Sequence, residues 1–142
     1  MAGRSLGARP ALEQLDADTC RALLGSRSFG RICLVVDDRV VVVVTTYLLQ
    51  DTQLRFRAAA FGPAARRASE RPVTFQVDDA QGGEPPTWSV TVAGVPQRVQ
   101  EAAVLASLWS APRTQPWEAG LTSQWLTLGT DDVQGRRVHR PA

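Results

Sequence analysis

The apolar positions along the chain change period several times, and each change marks an element. In LDADTCRALLG, Leu23 and Leu24 supply a buried side behind Asp16, a residue suited to cap a helix start, and Gly25 is placed to end the helix. FGRICLVVDDRVVVVVTTYLL carries two β-branched runs around Asp37, Asp38 and Arg39. It reads as an antiparallel hairpin, although the glycine usual in such turns is missing. In QLRFR, Leu54 and Phe56 alternate with Gln53, Arg55 and Arg57, so one strand face is dry and the other polar. GPAARRASE predicts a short helix with Gly62 at its cap and Pro63 at its first position, stopping before Pro72. PVTFQVDD and TWSVTVAGVPQRVQ predict two strands joined by AQGGEPP, and Pro96 points to a sheet edge or a bulge near Gly94. EAAVLASLW predicts an amphipathic helix, SAPRTQPWEAG a loop, and QWLTL with GRRVH a closing pair of strands. The order helix, three strands, helix, two strands, helix, two strands predicts a mainly β protein with small helices, an antiparallel barrel. Residues 1–12, small and basic with Pro and Gly, read as a flexible lead-in to one domain over residues 13–142.

Composition narrows the classes of function. A chain of 142 residues with 44% hydrophobic content can fill one core without disulfides or metal. The net charge is only +2 and the sixteen basic residues, all arginine, are dispersed, so no nucleic-acid partner is expected. The absence of lysine excludes Schiff-base catalysis. Cys20 and Cys33 have no CxxC spacing and read as small apolar residues in a reduced compartment. The first residues lack the apolar stretch of a secretory signal, and Val40 to Val44 is too short to span a bilayer. The expectation is a soluble cytoplasmic protein with no membrane partner. No metal site, paired-carboxylate or nucleophile–base constellation stands out, because Asp37-Asp38, Asp78-Asp79 and Asp131-Asp132 all fall at turns. His139, the single histidine, lies three positions from the end and reads as part of a frayed tail.

One stretch carries candidate chemistry. FRAAAFGPAARR, residues 56–67, runs from a strand end through Gly62 into a helix, and a turn of that shape offers backbone N–H groups to an anion.

The element order and several strings resemble the pyridoxamine 5′-phosphate oxidase-like family of FMN-binding split barrels, in its short actinobacterial form. The matching strings are LDADTCRALLGSRSFGRICLVVDDRVVVV, LRFRAAAFG, RPVTFQVDD, TWSVTVAGVPQRV and QWLTLGTDDVQGRRV, together covering roughly residues 15–138. The resemblance implies an antiparallel split β-barrel acting as a homodimer, with FMN or a deazaflavin bound at the interface. In that family an Arg-Thr pair, a spacer and Gly-Ser/Thr-Lys hold the cofactor phosphate. Arg57 and Gly62 fit this pattern, whereas Ala58, Pro63 and Ala64 replace the hydroxyls and the lysine, which leaves a degenerate phosphate turn. Arg66 and Arg67 have two readings: they compensate at the phosphate, or they form a solvated helix face. Trp88 and Ser89 fall where the family places residues beside the flavin ring, and Trp88 equally suits a core or dimer-interface aromatic. Thr46 stands where an asparagine is common, before the retained Tyr47. Trp125 matches a C-terminal tryptophan that packs near the cofactor or the interface, with core packing as the other reading. Trp109 and Trp117 flank a variable loop. None of these residues is an acid, base or nucleophile.

Two functions follow from this reading. One is a flavin- or deazaflavin-dependent oxidoreductase acting on a small molecule. The other is a flavin-free barrel whose pocket is repurposed as a binding module or a cofactor-free enzyme of specialised metabolism.

Overall fold

The computed structural model describes residues 11–59, 62–110 and 123–139. Helix α1 (Ala17–Gly25) starts where expected, with the Asp16 carboxylate accepting the Thr19 N–H at 2.7 Å. That bond holds the Asp16 carboxyl below the usual carboxylate range. Cys20 and Leu24 are the helix positions fully turned into the core.

Strands β2 (Phe29–Val36) and β3 (Arg39–Gln50) form the predicted hairpin, with Val36 opposite Arg39 and only Asp37 and Asp38 between them. Both aspartates are left-handed, at φ 49° and 61°. A two-residue turn of this kind normally selects Asn-Gly or Asp-Gly. Here two aspartates do the work of the missing glycine, because a short polar side chain tolerates the left-handed region better than most.

β3 serves two halves of the sheet. Its first eight residues pair with β2, and Tyr47 to Gln50 pair with β4 (Gln53–Ala59). At the corner sits Thr45, buried, with its hydroxyl 3.2 Å from the Thr46 carbonyl and 3.3 Å from that of Arg57.

The chain continues through α2 (Pro63–Arg66), β5 (Val73–Asp78), β6 (Trp88–Gly94), β7 (Gln97–Arg98), α3 (Ala102–Ser110), β8 (Ser123–Gly129) and β9 (Asp132–His139). With β1 (Ala11–Leu15) these strands form one antiparallel sheet in the order β1-β9-β6-β5-β2-β3-β4-β8-β7, curled into a half-barrel. The molecule is therefore a split β-barrel with small helices, as the sequence predicts.

Three details differ from the sequence reading. Ala11 and Leu12 already belong to β1, which pairs with β9 from Ala11↔His139 to Leu15↔Gly135. His139 is thereby a strand residue, its ring against the Glu13 carboxylate, and not part of a frayed tail. The segment read as one strand to Gln100 breaks at Val95-Pro96 into β6 and β7, which lie in different parts of the sheet. Proline cannot donate to a ladder, so the chain turns a corner there.

The inner face of the sheet carries the main core, including Tyr47, Leu54, Phe56, Phe75, Val90 and Leu126. Phe75 is met edge-on by Tyr47 at 5.2 Å, and Phe56 packs on it at 5.7 Å. Each such side chain contributes about 1.5–3 kcal/mol by leaving water. The Tyr47 hydroxyl donates to the Leu24 carbonyl, tying α1 to the sheet, and burial pushes its phenol well above the usual range. Gly30 marks the closest strand approach: a Cβ there would lie 2.5 Å from Phe75 Cε1 and 2.7 Å from the Gln76 carbonyl oxygen. Among the described residues no helix is long and apolar enough to cross a membrane.

Candidate functional site

The parity of the strands sorts the sequence-predicted residues into three places. The first is the outer face of the sheet, where Phe29 lies opposite Thr46 and Arg57 opposite Trp125. Tyr47 pairs with Phe56, so one step along the ladder sets Thr46 beside Arg57. Thr46, Arg57 and Trp125 thus form a continuous row across β3, β4 and β8. Helix α3 closes over its end, because Leu108 and Val99 bury Trp125 to 2% exposure.

The Arg57 guanidinium lies 4.8 Å from the ring centre of Trp109 on α3 and 5.9 Å from that of Trp125. The two indoles meet edge-on at 6.1 Å. A cation on aromatic faces gains about 0.5–2 kcal/mol, depending on desolvation. On the same face two buried N–H groups, Trp125 Nε1 and Arg55 Nε, have no acceptor among the described residues. A buried donor left without a partner costs about 1–3 kcal/mol, and natural folds rarely keep one without a purpose.

The second place is the turn after β4. Gly62 caps α2 from an extended conformation, its N–H donates to the Ala59 carbonyl at 2.9 Å, and its carbonyl accepts from Arg66 N–H at 3.0 Å. Pro63 has no N–H, and Ala58 is turned into the core at 6% exposure. The first groups of the expected phosphate cradle are therefore committed to the fold or missing. The arginines that follow are not. Arg66 and Arg67, with Glu70 and Arg71, line a cleft of about 660 Å³ that faces the hairpin tip and its Asp37 and Asp38. None of the three arginines makes an ion pair among the described residues.

The third place is the start of β6. Trp88 is buried to 7% in the main core, with the Arg27 guanidinium 5.7 Å from its ring centre. Ser89 faces the other way and lies 3.2 Å from Gln76 Nε2, which also donates to Asp78 at 2.8 Å, while Arg31 approaches the same Asp78 at 3.6 Å. Ser89 sits opposite Asp78, and Gln76 opposite Arg31. The cleft at Val35 to Asp38 is further along β2, and at about 3.3 Å per residue the step from Arg31 to Val36 is roughly 16 Å. The structure does not bring Trp88 and Ser89 together with Arg66 and Arg67. Trp88 packs within the main core.

Asp79 explains its own place in the turn. Burial acts to raise its carboxyl, but hydrogen bonds from the Thr87 hydroxyl and the Trp88 and Thr87 N–H groups outweigh that and hold it below the usual range. The cysteines are free thiols; Cys20 is sealed in the core, where burial pushes the thiol up. No group of three His, Cys, Asp or Glu side chains among the described residues could hold a metal. Trp117 lies outside the described residues.

Sequence reasoning missed Arg55, Arg71 and the facing role of Asp37 and Asp38. Arg55 was visible as a member of the polar face of QLRFR, and Arg71 as the i+4 neighbour of Arg67. The aspartates gave no signal beyond a turn.

A curled half-barrel of antiparallel strands joined through small helices is the architecture of split-barrel proteins. The sequence matches the family described as pyridoxamine 5′-phosphate oxidase over residues 16–137, and the chain belongs to that family. Among solved structures it is similar to the FAD binding protein from Mycobacterium smegmatis, with 29% identity and a TM-score of 0.70 over 89% of this chain and 97% of that one. It is also similar in fold to an FAD-binding protein from Mesorhizobium loti, with 19% identity and a TM-score of 0.69 over 92% and 99% of the two chains. A third is the FAD and heme binding protein from Mycobacterium smegmatis, with 16% identity and a TM-score of 0.68 over 91% and 75%. No match was found among curated proteins.

Proposed function

We propose that this protein is a flavin-binding oxidoreductase that acts on a small molecule. The observation that carries the reading is the pair of buried donors without acceptors among the described residues, Trp125 Nε1 and Arg55 Nε, on the outer face that also carries Arg57. A flavin is rich in acceptors at its ring carbonyls, ring nitrogens and phosphate. Bound there, it supplies hydride or electron transfer. The protein's own part is to hold and orient it. Trp125 and Arg55 donate, Thr46 lines the row, and Arg57 holds negative charge with the aromatic faces behind it. Arg66 and Arg67 take the phosphate end, because α2 follows β4 directly. FMN, a deazaflavin and FAD all satisfy this donor set; the 29% identical neighbour described as FAD binding supports the last.

Absorbance and fluorescence of the purified protein, titrated with FMN, FAD and a deazaflavin, test the reading. A red-shifted band and quenched flavin emission are expected with at least one of them. No change with any of the three refutes it.

A second reading rests on the turn after β4. With Ala58 inside the core, Gly62 N–H bonded to Ala59, and Pro63 without an N–H, the family's phosphate groups are absent. A flavin-free barrel with a repurposed pocket fits that turn.

The expected homodimer is part of the proposal. Phe29, Val35, Val40 and Val42 stand out from the same outer face at 52%, 59%, 71% and 56% exposure. A second copy of this chain is a fitting cover for such an apolar patch on adjacent strands, and the cytoplasm is the compartment that suits its free thiols. Light scattering at micromolar concentration should give twice the chain mass.

A further inference from the structure

We propose that the cleft between α2 and the β2–β3 tip binds a nucleoside diphosphate group, with Arg66, Arg67 and Arg71 on the phosphates and Asp37 and Asp38 on the sugar hydroxyls. At about 660 Å³ the cleft has the volume of sites that take whole small molecules. A lone phosphate fills only a small part of it. Three guanidiniums, with Glu70 among them, line one side and make no ion pair among the described residues, and their planar forks match phosphate oxygens two at a time.

The opposite wall makes the site selective. Asp37 and Asp38 are fixed at the tip by consecutive left-handed conformations, and both side chains are exposed towards solvent. Their carboxylates repel phosphate yet accept hydrogen bonds from hydroxyls, the role an acidic residue plays on a ribose in dinucleotide sites. A purely anionic ligand spanning the cleft meets repulsion at the tip. One that is anionic at one end and hydroxyl-bearing at the other meets complementary groups at both.

Two sources supply that chemistry: the adenylate end of a flavin dinucleotide, or a separate nucleotide co-substrate. The first source rests on the flavin reading above; the second does not.

Calorimetric titration of the full chain with ADP, inorganic pyrophosphate, FMN and FAD separates them. ADP is expected to bind more tightly than pyrophosphate. Arg71→Ala should weaken ADP at least tenfold, and Asp37→Asn with Asp38→Asn, which the left-handed turn accommodates, should bring ADP down to the level of pyrophosphate. If the flavin tail is the source, FAD binds at least tenfold more tightly than FMN, and Arg71→Ala erases that margin while leaving FMN within twofold. If a separate nucleotide is the source, FMN and FAD bind alike and ADP binds the flavin-free protein, competing with FMN for Arg66 and Arg67. ADP binding with neither flavin binding removes the flavin reading and leaves the cleft standing. An unchanged ADP affinity in Arg71→Ala that is folded by circular dichroism, or ADP no tighter than pyrophosphate, overturns the proposal.

Discussion

The turn after β4 and the face beneath α3 carry the same kind of group, N–H donors, in opposite states. At the turn, Gly62 gives its N–H to Ala59, Pro63 has none, and Ala58 points inward. Beneath α3, Trp125 and Arg55 hold buried N–H groups that no described residue accepts. Donors already satisfied by the fold add little to a ligand, because binding must break one bond to make another. Donors left unsatisfied in the core lose nothing when an acceptor arrives. The family turn is conspicuous in the sequence, yet the unsatisfied donors lie on the sheet face.

The sharpest way to break this comparison is at Trp125. Trp125→Ala removes the centre of the second core cluster and should destabilise the fold by about 3–5 kcal/mol in denaturant titration. Trp125→Phe keeps most of the packing and deletes only the orphan donor. Its stability should stay within about 1 kcal/mol of the parent, while flavin affinity falls about tenfold, about 1.4 kcal/mol. Equal losses of stability and affinity in the phenylalanine variant would show that Trp125 acts by packing alone.

The turn can be repaired. Pro63→Thr with Ala64→Lys returns an N–H, a hydroxyl and an ammonium, and should tighten FMN about tenfold, roughly 1.4 kcal/mol. The gain is held below the sum of the new bonds by about 1.5–2 kcal/mol of lysine side-chain entropy. Adding Ala58→Thr should undo part of it, since that position faces the core and a buried hydroxyl costs about 1–3 kcal/mol. Conversely, Arg66→Ala with Arg67→Ala should weaken phosphate binding several-fold, more at low salt than at high, because exposed charges are screened.

A smaller effect separates the structural carboxylates from the site. The folded Asp79 carboxyl is held below its unfolded value, so its contribution to stability is complete above about pH 4 and is lost as pH falls through the folded value. Asp79→Asn should flatten that acid limb in thermal melts followed from pH 6 to pH 2. The smallest expected change is His139→Ala. It loosens the β1 edge but leaves any activity within a few-fold, far short of the roughly 10²–10⁴ that an acid–base residue contributes.

How much of this was legible in the sequence depends on range. The hairpin, the Asp16 cap and the strand–turn–helix at Gly62 are local, and residue type alone predicts them. β1 was not legible, because the five residues ALEQL are mostly exposed and owe their conformation to a ladder with a strand more than a hundred positions away. The split of β6 from β7 was half-legible: Pro96 announced a break but not a change of sheet partner. For the site, Arg66 and Arg67 followed from their place after the turn. The meeting of Arg57 with Trp125, and which of Trp88 and Ser89 faces the core, depend on register across strands distant in sequence.

The hairpin tip and Thr46, at the start of the Thr46–Arg57–Trp125 row, belong to a single strand. From Arg39, next to the Asp37-Asp38 turn, β3 runs unbroken to Thr46 and on to Gln50. No loop lies between the two places to absorb a displacement. Mechanically the strand is a lever with its fulcrum at the buried Thr45, whose hydroxyl clasps the Thr46 and Arg57 carbonyls. A ligand that draws the tip towards α2 loads the same backbone that carries Thr46 past Arg57, so the two ends of a long cofactor would be felt along one rod.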